Sequence, residues 1–176
     1  MKKIIIPIII LIVALFSFKV YSVNKNYPTK DKIERYSIKD TIEYENLDIQ
    51  ITGFKINKKP IDDKPRILDV YFEVINNNPK DMDIINTITS FSLYQDFSNS
   101  PIQNILENDL KSSYEDFLLK PNEKKKYTFK YIVENNDNNR DNFIYMNNRL
   151  YKDEYNNSFD KGLLLYKVID LGDIYE

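Results

Sequence analysis

A period of two runs through most of the chain. Leu47, Ile49 and Ile51 alternate with Asp48, Gln50 and Thr52, and directly after Gly53 the apolar phase moves to Phe54 and Ile56. A phase shift of this kind marks a bulge inside one strand. The run from Ile67 to Val74 sets Leu68, Val70, Phe72 and Val74 against Asp69, Tyr71 and Glu73, and stops at Asn76-Asn77-Asn78-Pro79. That pattern predicts a half-buried strand followed by a turn. Residues 85–94, with Ile85, Thr87, Thr89, Phe91 and Leu93 in phase, predict another strand. So do Lys125 to Val133, with Tyr127, Phe129, Tyr131 and Val133 opposite lysines and Thr128. Thr41 to Tyr44, Phe143 to Tyr145 and Leu163 to Leu171 complete the set.

Two stretches depart from this period. Ile102, Ile105, Leu106, Leu110, Tyr114, Phe117 and Leu118 recur at three and four, after the capping arrangement Ser100-Pro101-Ile102-Gln103. A helix starting at Pro101 is predicted, ending before Lys120-Pro121 or at Ser112-Ser113. At the N-terminus, Lys2 and Lys3 precede an apolar stretch from Ile4 to Phe18. Basic residues followed by an apolar run are the export signal read at the membrane. Counting on through Lys19, whose ammonium can snorkel to the headgroups, Ile4 to Val23 has the roughly 20 residues of a bilayer span. Val20-Tyr21-Ser22 is a cleavage candidate, while Lys19 and the bulk of Tyr21 favour retention as an anchor. With both lysines on the short N-terminal side, the following domain is expected outside the cytoplasm. The expected organisation is a signal peptide or anchor over 1–22, a polar spacer over 23–37 and one domain over 38–176, with no linker or repeat dividing it.

Seven or so short antiparallel strands with one short helical insertion predict an all-β, two-sheet sandwich behind an N-terminal membrane or signal helix. Composition narrows the chemistry. The 176 residues include neither Cys nor His. Disulfides, thiolate metal sites, a cysteine nucleophile, a lipid-bearing cysteine and the usual general base are therefore excluded. The chain has 25 basic and 27 acidic side chains. Residues 1–22 hold three of the lysines and no acid, so the remainder carries a net charge of minus 5, which makes nucleic acid an unsuitable partner.

The segments Ile67-Leu68-Asp69-Val70-Tyr71-Phe72-Glu73-Val74-Ile75-Asn76-Asn77, Phe91-Ser92-Leu93-Tyr94-Gln95-Asp96 and Leu119-Lys120-Pro121-Asn122-Glu123, the last leading into Tyr127-Thr128-Phe129-Lys130-Tyr131, occur in that order. Over residues 40–171 the chain resembles the small immunoglobulin-like extracellular domains of Gram-positive bacteria, most of which have no assigned function and some of which are mislabelled as telomeric repeat-binding proteins. The resemblance implies an exported immunoglobulin-like sandwich and brings no catalytic or binding residues with it. Asn122 stands where that family has glycine, and the usual lipid-bearing cysteine is missing, which makes the anchor a peptide helix or nothing.

Candidate sites are few, and no cofactor, metal or catalytic residue is expected. Asn135, Asp137, Asn139 and Asp141 alternate like calcium-loop ligands, but Arg140 and Met146 occupy the places of the required Gly and Glu, so a solvated loop is the better reading. Acid pairs such as Asp62-Asp63, Asp81 with Asp83, Glu115-Asp116 and Asp153-Glu154 could furnish two carboxylates for glycoside hydrolysis, although neighbours in sequence on turns rarely converge on one cleft. Lys124 and Lys126, within the run Lys124-Lys125-Lys126, either protect a sheet edge or meet anionic wall polymer or headgroups. Tyr151 and Tyr155, four apart in a polar segment, are a candidate exposed aromatic patch, whereas Phe143, Tyr145 and Tyr166 at alternating strand positions are expected in the core. The leading expectation is a non-enzymatic extracytoplasmic module binding a protein or cell-wall component, anchored through residues 4–23 or secreted after cleavage near Ser22. The alternatives are an immunity or inhibitor protein acting on an exported toxin or hydrolase, and a carboxylate hydrolase. Because the calcium-loop pattern is incomplete, millimolar calcium is expected to leave the thermal midpoint unchanged; a clear upward shift in a calorimetric scan would restore the metal reading.

Overall fold

In the computed structural model, residues 2–25, 27–56, 66–95, 98–102, 104–107, 110–111, 114–133 and 142–174 are described, with backbone alone at 2–6, 8, 98–99, 104–107, 110–111 and 114–115. Two compact units divide the chain: residues 1–32 with 153–165, and residues 33–152 with 166–176.

The larger unit holds the sandwich. One sheet joins β2 (Thr41–Tyr44), β3 (Leu47–Ile56), β4 (Arg66–Asn76), β11 (Lys124–Val133), β8 (Asn104–Glu107) and β9 (Leu110–Lys111), in that order. The other joins β1 (Lys30–Ser37), β13 (Leu163–Asp170), β12 (Asn142–Met146), β6 (Phe91–Gln95) and β7 (Ser98–Ser100). A short pair, β5 (Met82–Asp83) with β10 (Leu118–Leu119), lies apart from both sheets. The antiparallel β3–β4 and β4–β11 ladders form the framework. The alternation in these strands is reproduced in burial: Leu47, Ile49, Ile51, Leu68, Val70, Phe72, Val74, Tyr127, Phe129, Tyr131 and Val133 are each at most 1% exposed. Between Ile51 and Gly53 the β3–β4 register shifts by one residue, the bulge that the change of apolar phase predicts.

Phe72 joins the sheets. Its ring stacks on Phe129 at 4.1 Å within its own sheet and meets Phe91 of the other sheet edge-on at 5.3 Å. Contacts of both kinds add to what area burial alone supplies.

Several predicted elements are corrected. The helix expected from Pro101 does not form; β8 pairs with β11 in its place, with Ile105 opposite Phe129 and Leu106 opposite Thr128, and β9 turns back on β8. Without β8, β11 would present unpaired backbone along that edge, and this non-local demand overrides a local spacing of three and four. The strand expected over 85–94 is confined to β6, because Ile85–Ile88 makes one helical turn, α2. Asp83 Oδ1 accepts from the Ile85 N–H at 3.0 Å, and Ile84 and Ile88, four apart, are both fully buried. The spacer expected to reach residue 37 gives way at Lys30 to β1.

Turn chemistry locks one end of the sandwich. Asn76 is fully buried at the end of β4, and its Nδ2 donates to the carbonyls of Lys80 (2.9 Å), Leu119 (2.9 Å) and Lys120 (3.1 Å). Its Oδ1 accepts from the Asn78 N–H, and its backbone exchanges bonds with Asn122 N–H (2.7 Å) and Glu123 O (3.0 Å). Asn122 takes φ +59°, the left-handed conformation that asparagine tolerates and glycine adopts without steric cost. Asn77 and Asn78 reach the β2–β3 turn through Asn77 N–H to Asn46 O and Asn78 Nδ2 to Glu45 O.

The smaller unit contains α1 (Lys2–Lys25) and most of α3 (Lys152–Phe159). Among the described residues no helix is long and apolar enough to cross a membrane. From Ile9 to Val23 the large apolar side chains of α1 are nonetheless exposed, Phe18 at 70% and Phe16 at 69%.

Replacing Asn76 by Ala is expected to cost about 2 to 4 kcal/mol, because three carbonyls lose their donor inside the fold. Asn76→Asp is expected to be at least as damaging, since a carboxylate faces the same carbonyls without a proton to give. Urea titrations check both; a loss below about 0.5 kcal/mol for Asn76→Ala would show that the clamp is dispensable. Asn122→Gly should be near neutral, and Asn122→Val should cost about 1 to 2 kcal/mol.

Candidate functional site

The face of the five-stranded sheet turned away from the core carries the most distinctive surface. Residues directly opposite in neighbouring strands share a face. In β12, Asn142, Ile144 and Met146 are buried, which turns Phe143 and Tyr145 outward. Phe143 lies opposite Tyr94 of β6 and Asp170 of β13; Tyr145 lies opposite Ser92 and Val168. Tyr166, two residues before Val168, joins them, and its ring centroid is 6.4 Å from that of Tyr145. Tyr94 is 37% exposed. At the margin, the Arg35 guanidinium stacks over Phe143, 4.8 Å from the ring centroid, and lies 3.4 Å from Asp170 Oδ2. Ile33, two residues before Arg35 on β1, adds an exposed aliphatic side chain.

This placement reverses the sequence expectation. Phe143, Tyr145 and Tyr166 are half-exposed, whereas Tyr151 is 5% exposed and unavailable as a recognition surface. The Tyr151 hydroxyl donates to the Met146 carbonyl and accepts from the Lys167 N–H, both at 3.3 Å, and the Lys167 ammonium lies 5.3 Å from its ring centroid. Lys167 points inward with Leu165 and Ile169 and lies 3.6 Å from Glu34. Tyr155, on α3, is half-buried and tilts against Phe159 at 6.3 Å. Strand β12 has apolar residues on both faces, so alternation alone did not set its phase. The deciding residue is Asn142, which goes inward because Gln95 Nε2 donates to its Oδ1 (2.9 Å) and its Nδ2 donates to Gly172 O (3.2 Å).

Lys124 and Lys126 are exposed, and both turn to one carboxylate: Lys124 Nζ lies 2.6 Å and Lys126 Nζ 3.9 Å from Glu73. Lys130 pairs with Asp69 at 2.9 Å. β8 pairs with β11 only from Tyr127 to Lys130, so Lys130 is flanked by strands on both sides whereas Lys124 and Lys126 lie beyond the stretch paired with β8. These lysines form a cross-strand ladder with β4, each solvent-facing pair contributing about 0 to 1 kcal/mol. Two lysines of the basic run thus share a single carboxylate on their own sheet.

Asp62-Asp63 and the calcium-like residues 135–141 lie outside the described residues, and among those described no group of three or more acidic side chains is placed to hold a metal. A cleft of about 540 Å³ beside the β2–β3 turn is lined by Glu43, Tyr44, Glu45, Asn46, Asp48 and Asn77. Glu43 sits opposite Asp48, and Glu43 and Glu45 are exposed. The Tyr44 hydroxyl donates to Glu45 at 3.0 Å; partial burial, then that hydrogen bond and charge, raise its pKa above the usual tyrosine value.

One buried polar atom stands out. The Tyr131 hydroxyl is enclosed with no hydrogen-bond partner among the described residues, and desolvation holds its pKa well above 10.0.

No protein-family model matches the chain, and no curated protein matches it. Among solved structures it is similar to an uncharacterised β-sandwich protein from Clostridium difficile 630, with TM-score 0.57 and 11% identity over 82% of this chain and 99% of the other. At that identity the likeness shows the fold, and the chain is a β-sandwich domain. A lower likeness, TM-score 0.43 at 12% identity over 63% of this chain, is to ycdA, a candidate lipoprotein from Bacillus subtilis subsp. subtilis str. 168. The chain spans about a third of that protein, 34%.

Tyr131→Phe is expected to raise stability by about 1 kcal/mol by removing an unsatisfied buried hydroxyl. The folded-state pKa is raised, so this tyrosine opposes folding only as pH climbs past 10.0, where the unfolded chain ionises it and the folded chain does not. The midpoint of alkaline unfolding should therefore move upward in Tyr131→Phe. A destabilised variant would mean that the hydroxyl is engaged in the native protein.

Proposed function

We propose that the chain is a non-enzymatic, immunoglobulin-like binding module that works outside the cytoplasm, held by α1 or released from it, and recognises a protein or cell-wall component through the outer face of its five-stranded sheet. The observation that carries this reading is the aromatic and arginine strip of Tyr94, Phe143, Tyr145, Tyr166 and Arg35 on one sheet face. Tyr, Phe and Arg are the side chains enriched at recognition surfaces, and stiff strands hold them at little entropic cost. Two packed sheets with antiparallel ladders support the immunoglobulin-like description. The basic n-region, the apolar stretch from Ile4 to Phe18 and the exposed side chains of α1 support export.

The chemistry available supports a non-catalytic role. The chain has no histidine or cysteine, and two of the carboxylates that share a cleft, Glu43 and Glu45, are exposed. What the fold supplies is a rigid sheet face.

Changing Tyr94, Tyr145 and Tyr166 together to Ala in the full chain is expected to weaken binding to the envelope fraction of the expressing cells by about tenfold to a hundredfold. The variant should keep the far-ultraviolet circular dichroism and cooperative melting of the parent. Undiminished binding by a folded triple variant would remove the sheet face from the reading.

A further inference from the structure

A second aromatic group, distinct from the sheet face, lies where α1 ends. Within the smaller unit the Tyr27 ring meets Phe159 edge-on at 5.9 Å and 89°, and Phe159 is tilted against Tyr155 at 6.3 Å. Tyr155 and Phe159 are one helical turn apart on α3, a helix in which no side chain is buried. The remaining α3 residues, Lys152, Asp153, Glu154, Asn156, Asn157 and Ser158, are polar. Tyr27 itself is 56% exposed. Two rings on one short polar helix are too little to form a core, yet the chain places them against the residue that follows its apolar segment.

The position of that residue decides the occupant. From Ile4 to Val23, helical rise amounts to about 30 Å, the thickness of a bilayer's hydrocarbon core. Tyr27 comes four residues after Val23, and its N–H still bonds to Asn24 O at 3.2 Å, so it lies about 6 Å beyond the apolar run. The headgroup layer on each side of the core is about 5 to 8 Å deep. Lys25 and Lys30 flank Tyr27 in sequence, and Lys161 follows α3; Lys25 and Lys161 are exposed. Aromatic rings with a polar tip, bordered by lysines, are the side chains that settle at the boundary between hydrocarbon and water.

We propose that Tyr27, Tyr155 and Phe159 form an aromatic collar seated in the lipid headgroup layer at the outer end of α1, with α3 lying along the membrane surface. This rests on the reading of α1 as a membrane helix. The collar gives α3 a purpose beyond connecting β12 to β13: it fixes the depth of the chain by a contact distant in sequence from the anchor.

The chain contains no tryptophan, so one introduced indole reports from one place. Full-length Phe159→Trp, Phe16→Trp and Tyr94→Trp are reconstituted separately into vesicles of phosphatidylcholine and phosphatidylglycerol carrying quenchers either near the glycerol backbone or deep in the acyl chains. The expected result is that Trp fluorescence in Phe159→Trp is quenched at least about twofold more by the shallow label than by the deep one. Phe16→Trp should show the reverse preference, and Tyr94→Trp serves as the comparison from outside the smaller unit. Quenching in Phe16→Trp with none in Phe159→Trp would overturn the collar and leave the anchor standing. Absence of quenching in both would overturn the anchor and the collar with it, and deep-label preference in Phe159→Trp would overturn the headgroup placement.

Discussion

The fold depends most on one buried amide. Asn76 closes β4, and by donating to the carbonyls of Lys80, Leu119 and Lys120 it holds together two turns that are about forty residues apart in sequence. The turn following β10 then delivers β11 against β4 with Lys124 opposite Ile75, the first pair of a ladder that runs unbroken to Val133 opposite Arg66. A slip of one residue in that ladder would turn Tyr127, Phe129, Tyr131 and Val133 out of the core. Three carbonyls left without a donor would each retain a desolvation cost with nothing to offset it, so the clamp gives register as well as stability.

The second sheet uses the same device. Asn142 opens β12 fully buried, accepts from Gln95, and holds the chain after β13 through Gly172 O and the Leu171 N–H, seating Leu171 and Ile174 under the core. Because Asn142 is inward, Phe143 and Tyr145 are outward. A buried polar contact thus determines which aromatic rings reach solvent, and Phe72, packed between Phe129 and Phe91, ties that sheet to the rigid β4–β11 pair. The functional proposal therefore stands on packing: the aromatic face is open because an amide, and not a ring, fills the place beneath it.

Strands β3, β4 and β11 were legible in the sequence because apolar residues alternate there with charged ones, and the bulge was legible because Gly53 is followed by a change of phase. The segment after Ser100 was not, since Ile105 and Leu106 fit a helix as well as they fit a strand, and what decides is the open side of β11, a partner distant in sequence. The single helical turn at Ile85–Ile88 was masked by Thr87 and Thr89, which mimic alternation. For the candidate site, the lysine run was visible but its carboxylate partners, Glu73 and Asp69, lie on another strand. Of the two tyrosines four apart in the polar segment, Tyr151 enters the core and Tyr155 belongs to α3. Neither Asn76 nor Asn142 could be singled out, because asparagine is abundant throughout the chain.

A sandwich clamped by two asparagines, with the proposed binding face on one sheet and an exposed apolar helix ahead of it in sequence, suits the presentation role proposed above. The chain has no cysteine, so a single Tyr94→Cys substitution places one thiol on the proposed face. The most direct measurement is labelling of that thiol in intact cells by a membrane-impermeant maleimide, with lysed cells as the reference. The account predicts equal labelling before and after lysis, since the face is open and outside the cytoplasm. Labelling that occurs only after lysis would contradict it.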